Sequence, residues 1–422
     1  MKKRANKMLR QEEEDALCCC EYVNRQGERS HVAACCCDCE DLDDVCDRFL
    51  KREPQKPNSL SQVGEDISDR IRVPWLWGGA RKLDLSIIPP LILLPALLHL
   101  AALHFLLGIV VLTALPGLVL WYYYITHRKK GKTLFFLSLA LFSLAYMYFL
   151  FVTEVLPHGH VGALELAIVS LGVILTVLAL FHAKRDPGIV QPNKETIHST
   201  VTYYSPLADR DLSLNGGKQG ITLTVANRTG SLEHEGMEQK EAERQNWCAA
   251  CRLVRPPRAG HCRICGVCVL RHDHHCVWIN SCVGKANHRS FLLTLVFFLL
   301  TSLYGISLVL KSVCPQQNPL TALFFCPGVY NQYSTSLCFT CAWYSSIVTC
   351  GLLHLLVVQV INISYNVTER EARTALREKT ARSAYWGLVV DTGVYSLGFS
   401  GNWFEFINMG DKLNHPSSSD LV

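Results

Sequence analysis

Cysteine and histidine residues are concentrated in one part of the chain, residues 248–282. This segment holds seven of the 20 cysteines, includes two Cys-x2-Cys pairs, and ends in the stretch "RHDHHCVWINSC". Thiolates and imidazoles at such spacing form tetrahedral zinc sites, so we predict that the segment binds zinc. The alternative, reduced cysteines packed as small apolar side chains, does not fit a segment with so many charged and polar neighbours.

The ligands in this segment outnumber what two zinc sites need. Two closed four-coordinate sites take eight ligands, and one natural partition is a pair of Cys3His sites. That partition uses six of the seven cysteines and leaves at least one histidine over. The ligand count alone does not say which cysteine is free.

A free cysteine here would have the neighbours that nucleophilic catalysis needs. A histidine and an aspartate beside it supply a base and a carboxylate that orients the base. Only a thiolate attacks, and a nearby imidazolium lowers the pKa of a thiol while the carboxylate fixes the imidazole tautomer. The alternative is a purely structural zinc module that contacts proteins or nucleic acid.

Long uncharged stretches predict six membrane spans. The chain is 49% apolar, and residues 85–126 contain no Asp, Glu, Lys or Arg. At about 1.5 Å per residue this stretch crosses a bilayer core twice as a helical hairpin. The other spans are predicted at residues 133–153, 166–183, 291–310 and 342–361. We therefore predict an all-α polytopic membrane protein with a cytosolic two-zinc module between helices four and five. The fifth span is predicted to begin fifteen residues after Cys276.

Basic residues in short loops predict the orientation of the spans. The loop "HRKKGK" at residues 127–132 carries four Lys or Arg, and further basic pairs stand at residues 81–82 and 184–185. Lys and Arg favour the cytosolic side, so both termini and residues 184–290 are expected in the cytosol. The N-terminus has no apolar h-region, so no cleaved signal peptide is expected. The net charge of +5 reflects these loops and does not indicate nucleic-acid binding.

The predicted organisation has six parts. They are a flexible cytosolic arm with cysteines (1–80), four membrane helices (85–183), a cytosolic linker (184–245), the zinc domain (246–290), two membrane helices with a luminal loop (291–361), and a cytosolic C-terminal region (362–422). In the last part, "TEREARTALREK" predicts a charged helix. A reducing cytosol argues against disulfides in the arm and in the zinc domain.

At these residues the chain closely resembles the DHHC-type protein S-acyltransferases, the palmitoyltransferases. The resemblance rests on "DHHC" at 273–276 and extends through "RPPR", "CVWI" and "CVGKANHRSF" at fixed spacing. Outside the module, "DPG" at 186–188 and "YSLGFSGNWFEF" at 395–406 are similar to family elements. The family's T-T-x-E element is degraded here to "NVTE" at 366–369, which keeps only Glu369.

The resemblance implies a role for each residue of the module. It assigns one zinc to Cys248, Cys251, His261 and Cys268, and the other to Cys262, Cys265, His275 and Cys282. Cys276 is then the free nucleophile, His274 the general base, and Asp273 the carboxylate that orients His274. Both zincs are structural, because four protein ligands leave no open position.

The resemblance also implies acyl-coenzyme A, such as palmitoyl-coenzyme A, as co-substrate. The enzyme cysteine takes the acyl group and passes it to a cysteine of a protein. Burial of the acyl chain among the membrane spans would stabilise binding by roughly 0.8 kcal/mol per methylene. Trp278 is expected near the cavity mouth, the alternative being an interfacial tryptophan. Arg255 and Arg258 are candidate phosphate ligands, although solvated arginines suit these positions equally.

Both termini carry further hypotheses. The N-terminal cysteines, within residues 18–20 and 35–39 and at Cys46, lack the Cys-x2-Cys spacing of zinc ligands. We expect them to be acylated, and the alternative is that they are unmodified thiols. The ending Asp420-Leu421-Val422 has the form of a PDZ-domain ligand, although short matches also arise by chance.

Three function classes compete. The leading one is a membrane-embedded acyltransferase acting on membrane-associated proteins, in the Golgi or endoplasmic reticulum as the family implies. The second is a zinc-stabilised membrane scaffold without catalysis. A metal transporter is disfavoured, because the spans contain no carboxylate cluster.

Overall fold

The computed structural model describes residues 20–23, 29–32, 48, 50–51, 69, 71–74, 79–129, 132–191, 246–384 and 389–409. Six of the described helices are long and apolar enough to cross a membrane, which confirms the prediction. They are α1 (Ile88–Ala102, which continues a 3-10 turn at Leu85–Ile87), α2 (Phe105–Lys129), α3 (Phe135–Leu150), α4 (Ala163–Ala183), α5 (His288–Val313) and α7 (Tyr333–Ser364). The short α6 (Pro319–Phe324) lies between the last two.

Several spans are longer than predicted, and the difference is clearest for α3 and α7. After α3 the chain continues helically through a π turn, Phe151–Val155, and a 3-10 turn, Leu156–His158. Helix α7 begins at Tyr333, nine residues before the predicted start at residue 342. Its early polar residues are compatible with the helix because their hydroxyls bond to the helix backbone, as Ser336 Oγ does to the Tyr333 carbonyl at 2.8 Å. Uncharged length alone therefore underestimates these spans.

Helix α5 packs along α4 on one side and along α7 on the other. Helices α4 and α5 approach closely at Gly172, where an added Cβ would lie 2.2 Å from Thr301 Oγ1. A small residue at such a point lets two membrane helices approach closely. Between α5 and α7, a disulfide joins Cys314 to Cys326. These three helices form the frame on which the Cys/His module sits.

The module consists of three antiparallel hairpins. They are β5/β6 (Trp247–Cys248 and Leu253–Val254), β7/β8 (Gly260–Cys262 and Val267–Val269) and β9/β10 (His274–Cys276 and Ser281–Val283). The segment after α4 joins this module, because Val190 N–H donates to the Cys268 carbonyl at 2.9 Å. Asn287 Nδ2 donates to the carbonyl of Ala183, the last residue of α4, at 2.6 Å. The module is thus fixed between the end of α4 and the start of α5.

Short strands also occur before the first span, where the sequence predicts no regular structure. One hairpin pairs β1 (Glu21–Val23) with β2 (Arg29–His31), and another pairs β3 (Arg72–Val73) with β4 (Arg81–Lys82). Strands of two or three residues are too short to produce a visible period-two pattern. The cysteines at 18, 19, 35–39 and 46 lie outside the described residues, as do most of the predicted linker and Asp420-Leu421-Val422.

The C-terminal region folds onto the module. The predicted charged helix is present as α8 (Glu369–Glu378), and Thr368 with Glu371 forms a capping box at its start. It is followed by the hairpin β11/β12 (Arg382–Ala384 and Val389–Asp391) and by α9 (Gly398–Asn408). Asn402 is buried and donates to the Ser364 carbonyl at 2.7 Å, which ties α9 to the end of α7.

Candidate active site and metal centres

The eight predicted zinc ligands form two separate clusters. Within each cluster the donor atoms all lie within 4.8 Å of one another. The first cluster contains Cys248, Cys251, His261 and Cys268, and the second contains Cys262, Cys265, His275 and Cys282. Representative distances are 3.2 Å from Cys251 Sγ to His261 Nδ1 and 3.4 Å from Cys265 Sγ to His275 Nδ1. Cys276 belongs to neither cluster.

Strand alternation explains this division. Successive side chains of a strand point to opposite faces, so the neighbours His261 and Cys262 on β7 enter different clusters. The same rule applies to β9, where His275 faces the second cluster and stands opposite Cys282 on β10. His274 and Cys276 therefore share the other face of β9, away from the metal ligands.

The clusters fit zinc. Each offers three thiols and one imidazole, the donor set of structural zinc sites. Four sulfur or nitrogen atoms this close together suit a single tetrahedral ion, whereas oxygen-preferring cations would find no carboxylate in either cluster. Four protein ligands fill the coordination sphere, so such an ion would stabilise the hairpins and leave no position for a substrate.

His274 and Cys276 share the free face of β9, and Asp273, the residue directly before the strand, lies beside His274. His274 Nδ1 donates to Asp273 Oδ2 at 2.7 Å, and the His274 imidazole also interacts electrostatically with the Cys276 thiol. Cys276 is 5% exposed and packs with Ala183 of α4 and Leu295 of α5. A thiol, an imidazole and a carboxylate are thus aligned at the boundary between the module and the membrane helices.

The electrostatics of this group favour an ion pair. Burial alone would raise the pKa of Asp273, but the hydrogen bond from His274, the charges of His288 and His274 and the Glu369 N–H together outweigh burial and hold the pKa of Asp273 well below its usual range. Burial likewise disfavours a charged His274, yet its hydrogen bond with Asp273 and its interaction with Cys276 raise the pKa of His274 well above its ordinary value. Asp273 is therefore a permanent carboxylate that stabilises the imidazolium.

Two further residues contact this group and a third contacts one of them, and the sequence did not assign any of the three a role there. Glu369 N–H donates to Asp273 Oδ1 at 2.8 Å, and Glu369 Oε2 lies 3.3 Å from His274 Nδ1. Gln359 of α7 approaches Asp273, and His288 of α5 contacts Gln359. The sequence does carry a signal for Gln359, because an amide in an otherwise apolar span is costly to bury and usually functional.

The two arginines proposed as phosphate ligands differ in their surroundings. The guanidinium of Arg258 forms two bonds of 2.8 Å with the Glu371 carboxylate and two more with Asn366. These contacts engage all three guanidinium nitrogen atoms of Arg258, which favours a structural role over phosphate binding. Arg255 donates through Nε to the Asn246 carbonyl at 3.1 Å and lies near the module surface. Trp278 is 38% exposed.

An apolar cavity of about 110 Å³ lies among α3, α4, α5 and α7. Its lining includes Val173 of α4, Phe298 and Thr301 of α5, and Val348 of α7. Cys276 packs with Leu295 and Leu352 on the same two helices, α5 and α7. Phe298 and Val348 are three and four residues further along them, which is about one helical turn. The cavity therefore lies about one helical turn from the apolar cluster that contains Cys276.

Comparison with known proteins agrees with this site. A family model described as DHHC palmitoyltransferase matches residues 241–375. Palmitoyltransferase ZDHHC23-B of Danio rerio is 62% identical over 430 residues, which cover 100% of this chain and 99% of the relative. Palmitoyltransferase ZDHHC23 of Mus musculus is 50% identical over 432 residues, covering 100% of both chains. Palmitoyltransferase ERF2 of Kluyveromyces lactis is 32% identical over 161 residues, 36% of this chain and 39% of the relative. The resemblance at the "DHHC" segment is confirmed, and the chain belongs to the DHHC palmitoyltransferase family.

Proposed function

We propose that this palmitoyltransferase moves a long acyl group from acyl-coenzyme A to Cys276 and then to cysteines of membrane-associated proteins. The observation that carries the proposal is the position of Cys276, which lies outside both metal clusters and shares a strand face with His274. His274 in turn donates to the buried Asp273. This is the arrangement of a nucleophile, a base and an orienting carboxylate.

In the first step, the proton of the Cys276 thiol lies on His274 as the imidazolium that Asp273 stabilises, and the Cys276 thiolate attacks the thioester carbonyl. The new carbon–sulfur bond forms as the bond to coenzyme A breaks, and His274 returns the proton to the departing thiolate. In the second step, the thiol of a protein substrate attacks the acyl-Cys276 thioester. Its proton passes through His274 to Cys276, which leaves as a thiol. Both steps exchange one thioester for another, so no further co-reactant is needed.

The remaining residues position these groups. Zinc held by the two Cys3His clusters would cross-link the hairpins and so fix β9 in place. The acyl chain would occupy the apolar cavity that lies about one helical turn from the apolar cluster containing Cys276. Arg255 is a candidate partner for the phosphates of coenzyme A. Trp278 is a candidate to lie at the mouth of the cavity.

The proposed orientation places the active site in the cytosol and the α5–α7 loop in the lumen. The basic loops at residues 81–82, 127–132 and 184–185 support it. The Cys314–Cys326 disulfide supports it as well, because disulfides persist in the lumen and not in the cytosol. We further propose a Golgi or endoplasmic reticulum membrane, and a PDZ-domain partner for the C-terminal Asp420-Leu421-Val422.

Intact mass spectrometry of the purified chain tests the proposal. Incubation with palmitoyl-coenzyme A should add one palmitoyl group, and hydroxylamine should remove it because it cleaves thioesters. Cys276→Ala should acquire no acyl group and keep both zinc ions, whereas Cys350→Ser, a change at an exposed cysteine of α7, should behave like the original chain. Acylation of Cys276→Ala at the original level would instead favour the scaffold hypothesis.

A further inference from the structure

Gln359 is a fully buried amide in the apolar part of α7. Its exposed fraction is 0%, and Val357, Val358, Val360 and Ile361 surround it in sequence. A polar group buried in a membrane helix is costly unless both of its polar atoms are hydrogen-bonded. Gln359 meets this condition with two partners from outside its own helix.

The two partners fix the direction of the Gln359 amide. His288 Nε2 lies 2.8 Å from Gln359 Oε1, and since a carbonyl oxygen only accepts, the imidazole must donate. The amide nitrogen then points the other way, toward Asp273 Oδ2 at 3.3 Å. His288 is itself buried, and its ring packs edge-on against Phe406 with centroids 5.1 Å apart. The amide therefore cannot turn without breaking both bonds.

Gln359 completes the set of donors around the buried Asp273 carboxylate. Oδ1 accepts from Glu369 N–H at 2.8 Å, and Oδ2 accepts from both His274 Nδ1 and Gln359 Nε2. Asp273 is 1% exposed, so water does not replace a missing donor. Rotation of the carboxylate would turn Oδ2 away from His274.

We propose that Gln359 is a positioning residue, held in direction by His288, which fixes the Asp273 carboxylate so that His274 faces Cys276. The inference rests on the proposed function, because it concerns the geometry of the same acyl-transfer site. The geometry of Asp273 and His274 then also depends on α5 and α7, the helices that carry His288 and Gln359. A relative displacement of these helices would disturb the base without moving any zinc ligand.

The first test replaces Gln359 by methionine, which has the same length and no hydrogen-bonding amide. Gln359→Met should lower the rate constant for acylation of Cys276 about tenfold, the factor for one hydrogen bond near 1.4 kcal/mol. The palmitoyl-coenzyme A concentration for half-maximal rate should stay the same, because Gln359 does not touch the substrate. Two zinc ions per chain should be retained. Trp343→Phe is the control, since it removes a different hydrogen bond of α7, from Nε1 to the Leu323 carbonyl at 2.6 Å, and should leave the rate constant unchanged.

The second test uses His288→Phe, which keeps a ring against Phe406 but removes the donor to Gln359. It should slow acylation less than Gln359→Met does, and the double variant should be no slower than Gln359→Met alone. Such non-additivity is expected when one residue acts through the other. This variant also carries the test if Gln359→Met does not fold.

The outcomes separate this inference from the proposed function. A rate constant for Gln359→Met within twofold of the original chain would overturn the positioning role, as would a decrease matched by loss of zinc. Fully additive effects of the two changes would overturn the role of His288. If the original chain itself forms no acyl-enzyme at Cys276, the proposed function fails.

Discussion

Asn366 joins the zinc module to the C-terminal region through a single side chain. Its Oδ1 accepts from Arg258 at 3.0 Å and from Arg271 at 2.6 Å, while its Nδ2 donates to Glu405 at 2.7 Å. Its φ of +50° lies in the left-handed region, which asparagine adopts more readily than most residues. Asn366 is the first residue of "NVTE", the segment that resembles the family's T-T-x-E element. Arg258 also forms an ion pair with Glu371.

The Arg258–Glu371 pair predicts a pH-dependent stability. Burial raises the pKa of Glu371, but the bonds from Arg258 and from Thr368 outweigh it, so the pKa of Glu371 is lowered. A lowered pKa means that the pair stabilises the fold above the ordinary value of about 4.3 and that this contribution is lost as the pH falls through the lowered pKa. Glu371→Gln should therefore cost about 2 kcal/mol at pH 7.

Thermal unfolding in detergent between pH 7 and pH 3 measures this effect. The difference between the original chain and Glu371→Gln should be full at pH 7 and should shrink below about pH 4.3. Glu378→Gln on the same helix is the control, because its pair with Arg377 is exposed and of little value. A difference in unfolding temperature that stays constant from pH 7 to pH 3 would contradict the lowered pKa of Glu371.

Among the secondary-structure elements, α4 and α5 are in close contact beside the cavity. Gly172 allows the two helices to touch at Thr301, which lines the cavity. Phe298 and Thr301 are on the face of α5 that also carries Leu295, the neighbour of Cys276. We therefore expect the distance between α4 and α5 to affect the space available for an acyl chain.

Gly172→Ala should separate the two helices or push Thr301 into the cavity. The added Cβ would lie 2.2 Å from Thr301 Oγ1, and such overpacking costs about 1–3 kcal/mol. We expect a lower unfolding temperature and weaker acylation by stearoyl- than by myristoyl-coenzyme A, relative to the original chain. Gly117→Ala in α2, where a Cβ meets nothing within 4 Å, should change neither property. An unaltered chain-length profile in Gly172→Ala would show that the contact does not limit the cavity.

In the molecule as a whole, the zinc module has a small apolar core of its own. Cys262, Val269 and Cys282 are the buried members of the core cluster described there, and two of them are metal ligands. A fold with so little apolar burial depends on its metals for stability. The membrane helices, by contrast, close their hydrogen bonds internally and do not need zinc.

Loss of one zinc ligand should therefore unfold the module and spare the spans. Cys282→Ser removes a ligand of the second cluster and should reduce zinc from two ions to one per chain, as measured by elemental analysis. Acylation of Cys276 should be lost, because β9 pairs with β10 through the Cys282–His275 position. Helical circular dichroism should remain nearly unchanged. Cys276→Ala should keep both ions, and a loss of zinc there would place Cys276 among the ligands.

The sequence by itself determined the features that depend on local composition. Uncharged stretches gave the number of spans, and the ligand count showed that one cysteine of the module is free. These properties need no knowledge of distant contacts, because a span or a Cys-x2-Cys pair is complete within a few turns of chain. The early start of α7 and the short strands before α1 were missed because their local signals are weak.

The tertiary structure decided which side chains meet. The hairpin register places His275 with the metal ligands and His274 with Cys276, although the two histidines are neighbours. Gln359 reaches Asp273 across 86 residues, and Arg258 reaches Glu371 across 113. The first contact arises from the packing of α7 against the module and the second from the packing of α8 against it, and no local sequence pattern predicts either of them. Sequence therefore determined the chemistry available, while packing selected the residues that carry it.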